Sequence, residues 1–126
     1  MKNEFIPYEQ ALVLKELGFD EPCFGGYYSN QDNVNLWFFK EAKNSDRDER
    51  VREGFATAPT YSQAFRWFRE KYGLCLVIKP ISDTRFDLGY SLLKNGLTIR
   101  SYTTYEKAEL ACLKKLIELS NQTTKP

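Results

Sequence analysis

The sequence predicts an α+β fold, in which an antiparallel sheet of about five strands carries three helices mainly on one face, in the order α-β-β-α-β-β-β-α. Three segments have the start signals and apolar spacing of helices, and several aromatic or β-branched runs have the composition of strands. An Asn-Gly dipeptide also separates two of those runs. Because hairpins and helices follow one another along the chain, we expect helices packed on an antiparallel sheet.

The helices are recognised by the residues at their first turns. They are predicted over residues 7–18, 60–72 and 103–120. Pro7 suits a first helical turn, where its missing N–H group is not needed. Thr60 with Gln63, and Thr103 with Glu106, have the spacing of a capping box, in which two side chains and two backbone N–H groups bond reciprocally.

The strands are recognised by composition and by the breakers between them. "CFGGYYS" (23–29) and "VNLWFFK" (34–40) are rich in aromatic residues, and the turn-forming cluster "NQDN" (30–33) separates them. "LCLVIKPI" (74–81) is rich in β-branched residues until Pro80, which cannot donate a ladder hydrogen bond. These runs predict a first hairpin and a separate strand.

The strongest local signal is Asn95-Gly96, which lies between the apolar stretches of "RFDLGYSLLKNGLTIRSY" (85–102). This dipeptide favours the positive backbone angles that a two-residue hairpin turn requires. We therefore expect two strands joined by a tight turn at these two residues.

Length and composition predict one domain over residues 1–120. The 126 residues are 42% hydrophobic, which is enough apolar material for a packed core. Residues 40–53 mix acids and bases and are predicted to form a charged surface loop, and residues 121–126 a flexible tail. With 18 basic and 17 acidic residues, the net charge of +1 gives no overall attraction to nucleic acid or to an anionic membrane.

Several catalytic chemistries are disfavoured by what the sequence lacks. It contains no histidine, which excludes Ser-His-Asp and Cys-His systems and histidine-ligated metals. Its three cysteines are far apart, unlike those of a disulfide framework or a zinc cluster. The first residues lack the apolar core of a signal peptide, and no apolar run approaches a membrane span. We therefore expect a cytoplasmic, non-enzymatic protein without a metal or cofactor.

The helix predicted over residues 60–72 holds the candidate partner-binding surface. Its aromatic residues share one face, except Trp67, which lies at the margin of that face. Trp67 either packs under the first hairpin or anchors a partner, with Arg66, Arg69 and Lys71 around it. Tryptophan and arginine are the side chains that most often dominate protein interfaces.

Two further helices carry candidate contact residues. Glu109 falls within the apolar arc of the last helix, so it either meets water or Arg100 near the helix start, or lies as a buried acid in a cleft that faces a substrate or partner. The first helix is apolar around most of its circumference, which indicates a central position or a cover by another chain. A homodimer through Ala11, Leu14 and Leu17 is therefore a candidate assembly.

Residues 60–120 are predicted to run helix, three strands, helix, which is the order of elements in double-stranded RNA-binding domains. That module uses a basic N-terminus on its last helix. Here Glu106 and Glu109 occupy the first turns, and Lys114 and Lys115 come later. Binding of nucleic acid or a nucleotide by this half of the chain is therefore the alternative function.

Three blocks of the sequence resemble a known family. "PYEQALVLKELGFDEPC", "APTYSQAFRWFREKY" and "YEKAELACLKKLIEL" are similar to the blocks of a family of small uncharacterised proteins encoded by phages and mobile elements of gut bacteria. The resemblance implies a bacterial cytoplasm and an accessory role, and it implies no catalytic residues. Together with the composition, it predicts a binding protein that acts on a host or phage protein as an inhibitor or adaptor.

Overall fold

The computed structural model describes residues 4–29, 33–45, 55–81 and 89–123, and these contain three α-helices and six β-strands. The chain divides into two compact units, Met1–Ala64 and Phe65–Pro126, so that the division falls within the second helix. In chain order the elements are α1 (Tyr8–Glu16), β1 (Cys23–Ser29), β2 (Val34–Ala42), β3 (Ala56–Ala58), α2 (Tyr61–Tyr72), β4 (Val77–Pro80), β5 (Tyr90–Lys94), β6 (Leu97–Tyr102) and α3 (Tyr105–Thr123).

The α+β class is confirmed, but the single sheet of about five strands is not. The described strands form two antiparallel sheets of three strands each, in the orders β2-β1-β3 and β4-β5-β6. No pairing joins the two predicted groups of strands among the described residues, and β3 is a three-residue strand that was not predicted. It pairs with β1 on the side away from β2, and so completes a first sheet within the first unit.

Helix α1 packs against β3 of the first sheet. The Lys15 side chain at the end of α1 donates a hydrogen bond to the carbonyl of Phe55, directly before β3. Asn44 holds β3 from another direction, because its side-chain oxygen accepts from the backbone N–H of Thr57 at 2.9 Å while its amide nitrogen donates to the Phe19 carbonyl at 2.8 Å. Long-range side-chain bonds therefore fix the position of this short strand.

The α1 residues that were predicted to contact a second copy differ in burial. Ala11 and Leu14 are fully buried, and Leu17 is partly exposed. The apolar circumference of α1 therefore supplies core side chains at Ala11 and Leu14. A homodimer through this helix stays a prediction, and it would have to use Leu17 and its exposed neighbours.

The predicted hairpin at Asn95-Gly96 is confirmed. The φ angles of these residues are 54° and 80°, and the turn joins β5 to β6. Helix α3 packs against this second sheet, and Leu92 of β5 is 1% exposed. The local preference of two residues thus defines the centre of the second unit.

Replacing Gly96 with alanine is expected to destabilise the second unit by about 1 kcal/mol, because a Cβ atom is disfavoured at positive φ. No heavy atom lies within 4 Å of the position that this Cβ would take, so backbone strain is the only cost. Urea denaturation measures the change. Asn95→Gly is the control, since it keeps the turn geometry, and equal losses in both variants would contradict this explanation.

The predicted helix starts are confirmed for α2 and displaced for α3. The Thr60 hydroxyl accepts from the Gln63 backbone N–H at 3.2 Å, as in a capping box, but the Gln63 side chain donates to the Pro22 carbonyl instead of reaching back. In α3 the capping residue is Thr104, whose hydroxyl accepts from the Lys107 backbone N–H at 3.2 Å. The cap therefore lies one residue after the predicted Thr103, and Lys107 at its third position cannot complete a capping box.

Parts of three predicted segments lie outside the described residues. Of the charged segment 40–53, residues 40–42 belong to β2, residues 43–45 are described after it, and residues 46–53 are not described. The predicted turn 30–33 is described only at its last residue. Helix α3 extends to Thr123, and the last three residues of the predicted tail are not described.

Candidate functional site

The first sheet has two faces, which the alternation of side chains along its strands keeps apart. Tyr27 points toward the start of α1, where its hydroxyl donates to the Ile6 carbonyl at 2.7 Å and its ring lies 5.5 Å from that of Tyr8. Gly25 lies on the same face, because a Cβ there would meet the Phe5 ring at 2.9 Å. We call this side of the sheet the covered face.

The opposite side, which we call the aromatic face, is defined by Phe24, Tyr28, Trp37, Phe39 and Phe55. The Tyr28 ring lies 6.2 Å from Trp37, 6.1 Å from Phe39 and 4.9 Å from Phe55, measured between centroids. Phe24 is assigned to the same side by the alternation of β1, at a point where the pairing of β1 with β2 is irregular. Most of these ring pairs meet edge to face, which is a favoured geometry for aromatic contacts.

Gly26 allows the rings of the aromatic face to lie directly on the backbone of β1. A Cβ atom at this position would be 2.7 Å from the Phe55 ring and 3.0 Å from the Phe39 ring. Both distances are shorter than an ordinary van der Waals contact between two carbon atoms. The second glycine of "FGGYY" is therefore explained by packing of aromatic rings, and the cluster is positioned before any partner arrives.

The aromatic face is buried at one end and exposed at the other. Phe55 is 1% exposed, whereas Trp37 is 55% and Phe24 is 68% exposed. On the covered face of the same strands, Phe38 and Val34 are about half exposed. An exposed group of large apolar side chains on one element is the usual mark of an interaction surface. Strand β2 thus offers apolar contacts on both of its sides.

The outer edge of β2 is a second feature of this surface. In the sheet order β2-β1-β3, none of the described strands pairs with that edge. The pairing of β2 with β1 is regular from Val34 to Phe38, and it becomes irregular before Ala42. The regular stretch contains no lysine, proline or bulge, which are the features that usually protect an edge strand.

The predicted anchor Trp67 is buried rather than exposed. Its side chain is 6% exposed, and its ring lies 5.1 Å from that of Phe68 and 5.7 Å from that of Tyr72. The Lys71 ammonium lies 4.9 Å from the centre of the indole ring, where a cation is attracted by the π-electrons. The indole is therefore buried, and its predicted packing under the first hairpin stays a prediction.

The three cationic residues predicted around Trp67 are exposed on α2. They are Arg66, Arg69 and Lys71. They stay a predicted contact surface, although the indole ring adds almost no exposed area to it. The structure thus places the four predicted residues together on one helix, with the charges outside and the tryptophan inside.

Glu109 is half-buried in α3, close to two groups whose ionisation it affects. Burial, and next the charge of Glu109, raise the pKa of Tyr105. Burial raises the pKa of the Cys112 thiol to about 12, with smaller contributions from Cys75 and Glu109. The carboxylate therefore makes its neighbours weaker acids.

The two buried cysteines are not activated nucleophiles. Cys23 and Cys112 are buried, and burial raises the pKa of the Cys23 thiol to about 12, as it does for Cys112. A thiol is reactive as its thiolate, so a raised pKa keeps both groups inert at neutral pH. Cys75 is exposed.

A groove of about 500 Å³ lies in the second unit beside the start of α3. Its walls include the Tyr90 and Tyr105 rings, whose centroids are 5.3 Å apart, and the capping residue Thr104. Among the described residues of its lining, Glu106 is charged. These groups provide hydroxyls and aromatic surface, and they do not form an acid–base pair.

Sequence reasoning placed Phe24, Trp37 and Phe38 on strands without identifying them as surface residues. The available signal was the run "LWFF" in β2, because consecutive aromatic residues on a strand must occupy both faces of the sheet. A single layer of helices covers only one of those faces. Exposure of some of these rings therefore followed from the sequence.

Two further features, a cluster of metal ligands and a membrane-spanning helix, are absent from the described residues. Among the described residues there is no group of three or more cysteine, aspartate or glutamate side chains that could hold a metal ion. In the same part of the chain, no helix has the length and apolar character needed to cross a bilayer.

No protein-family model, curated protein or solved structure matches the chain.

Proposed function

We propose that the protein is a non-enzymatic binding protein that docks another protein on the aromatic face of its first sheet. The observation that carries this proposal is the exposure of Trp37 and Phe24 beside a packed cluster of rings. In line with the resemblance to proteins of phages and mobile elements, the partner is a host or phage protein in a bacterial cytoplasm. The protein then acts as an inhibitor or adaptor.

The packing of the rings makes this surface suitable for binding. Tyr28 contacts the exposed Trp37 and also contacts Phe39, and the glycine at position 26 lets the rings of the cluster lie close to the sheet. Little side-chain freedom is then lost on binding, which usually costs about 0.5–1.5 kcal/mol for each flexible side chain that an interface immobilises. Tryptophan is also among the residues most often found at the energetic centre of an interface.

The test compares partner capture by variants that differ only in which exposed apolar side chain they lose. Wild-type protein, Trp37→Ser and Leu97→Ser are used to capture partners from a lysate of the host bacterium. Leu97 is the control, because it is 74% exposed but lies in the second unit. We expect Trp37→Ser to weaken capture by at least about tenfold, as a loss of 2 kcal/mol or more at a central residue implies.

The control separates binding at a specific surface from non-specific hydrophobic adsorption. Leu97→Ser should capture the same proteins as the wild type. Equal capture by all three proteins, or equal loss in both variants, contradicts a binding role for the aromatic face. Circular dichroism of each variant shows that its fold is retained.

A second candidate function is binding of nucleic acid through α2. The observation that favours it is the set of exposed cations Arg66, Arg69 and Lys71, which lie on the part of α2 that belongs to the second unit. Contacts with phosphates release counterions, so binding of a fluorescent RNA or DNA duplex should weaken steeply as salt rises. Absence of binding at low salt, or equal binding by Arg66→Ala/Arg69→Ala, removes this candidate.

A further inference from the structure

We infer that a second copy of the chain pairs with the outer edge of β2, so that two three-stranded sheets join into one of six strands. The inference deepens the proposed function, because the joined sheet carries two aromatic faces on the same side. The role of the dimer rests on the proposed function. The geometry of the contact is argued separately, from the backbone edge of β2 and from the side chains of the covered face.

The first argument is that no strand of the described part of the chain pairs with this edge. Every second residue of an outer strand directs its N–H and C=O groups away from the sheet, ready to bond with another strand. The regular stretch Val34–Phe38 has five residues, so pairing two such stretches adds on the order of five backbone hydrogen bonds. The irregular part of β2 begins only after Phe38.

The second argument is that this edge complements itself. Antiparallel pairing about a two-fold axis at Leu36 uses the whole regular stretch and sets Val34 opposite Phe38 of the other copy. Val34 and Phe38 are 46% and 51% exposed, and both lie on the covered face. Two apolar pairs of this kind meet on the same side of the joined sheet. The contact is therefore of the isologous type that closes a dimer.

The third argument is charge. The stretch Val34–Phe38 contains no charged residue, and the charged residues of β2, Lys40 and Glu41, follow it and carry opposite signs. The net charge of the whole chain is only +1, so two copies do not repel each other strongly. A second copy thus meets this edge without electrostatic repulsion. A strongly charged strand of another protein would find no opposite charge on Val34–Phe38.

The test places charges at the two residues that face each other across the axis. Val34→Lys/Phe38→Lys sets two lysines opposite each other at both ends of the contact. Val34→Lys/Phe38→Glu changes the same positions but sets lysine opposite glutamate. An opposed pair of charges across two strands contributes about 0.2–1 kcal/mol, which is favourable for unlike and unfavourable for like charges. Because the contact contains two such pairs, we expect the dissociation constants of the two variants to differ by about fourfold or more.

Sedimentation equilibrium over a range of concentrations measures the mass of each protein. We expect the wild type to reach twice the mass of one chain, the lysine–glutamate variant to stay a dimer and the lysine–lysine variant to become a monomer. A monomeric wild type at every concentration overturns the inference, and so does equal behaviour of the two variants. A trimer or larger assembly also overturns it, because a two-fold edge contact closes at two copies.

Hydrogen exchange of the wild type gives a readout that does not depend on how well the variants fold. In the dimer, amides of Val34–Phe38 that face outward become bonded, so their exchange should slow as the concentration rises through the dissociation constant. Exchange that is independent of concentration throughout β2 contradicts the edge contact. Partner capture by the lysine–lysine variant separates the two ideas: capture by a monomer supports the aromatic face alone.

Discussion

Replacing Trp67 with alanine is expected to lower the free energy of unfolding by about 3–5 kcal/mol, the usual cost of removing a large aromatic side chain from a core. The indole is 6% exposed and contacts Phe68 and Tyr72, so its loss leaves a cavity beside two rings. A domain of this size is typically stable by about 5–15 kcal/mol, and the loss would consume a large part of that. Urea denaturation followed by circular dichroism measures it.

The matched control for Trp67 is its exposed neighbour Arg66. A surface substitution such as Arg66→Ala should change stability by no more than about 0.5 kcal/mol. If Trp67→Ala keeps wild-type stability and instead loses partner proteins, the sequence-based prediction of a binding anchor on α2 is right and the core assignment is wrong. If both variants are equally stable and bind normally, Trp67 has neither role.

Replacing Phe55 with alanine is expected to cost a similar amount, about 3–5 kcal/mol, and to loosen the aromatic face. Phe55 is 1% exposed, and its ring lies 4.9 Å from Tyr28 and 6.0 Å from Phe39. It also fills the space above Gly26. Removing the ring takes away the support on which the exposed members of the cluster depend, so partner capture should fall together with stability.

Phe24 provides the comparison for Phe55, since it belongs to the same face but is 68% exposed. Phe24→Ala should leave the unfolding transition within about 0.5 kcal/mol of the wild type, as for other exposed positions. A large loss of stability in Phe24→Ala, or a small one in Phe55→Ala, would mean that the aromatic face is not anchored at the end that the structure shows.

The elements that the sequence predicted well depend on local chemistry. Asn95-Gly96 defines a turn by its own backbone preference, and the hydroxyl of Thr60 caps α2 three residues away. The first hairpin strand runs over the predicted residues, because its aromatic composition suits a strand irrespective of its partner. Interactions between residues close in sequence decide all of these features.

The division into two sheets depends on contacts that a sequence pattern does not encode. Strand β3 is the three-residue segment "ATA", which has neither the length nor the alternation of a recognisable strand. The Asn44 side chain accepts a hydrogen bond from Thr57 of this strand, 13 residues away. The Lys15 side chain donates to the carbonyl of Phe55, directly before the strand and 40 residues away. The predicted strands were expected to join one sheet, and the observed pairing divides them into two.

The candidate surface could be predicted only in part. The helical wheel placed Trp67 at the margin of the apolar stripe of α2. A residue there is buried or exposed according to how far the elements packed on that stripe extend around the helix. The run "LWFF" required rings on both faces of β2, but which of them are exposed depends on where α1 and Phe55 lie. The chemical type of the surface was therefore readable from the sequence, and its location was not.

The contrast between the two tryptophans is the central claim, and quenching of their fluorescence tests it directly. In Trp67→Phe the remaining Trp37 should emit at the long wavelengths of hydrated indole and be quenched strongly by acrylamide. In Trp37→Phe the remaining Trp67 should emit at shorter wavelengths and be quenched several-fold less, since its ring is 6% exposed against 55% for Trp37. Equal quenching of the two, or stronger quenching of Trp67, would contradict an exposed aromatic face on the first sheet and a buried indole in α2.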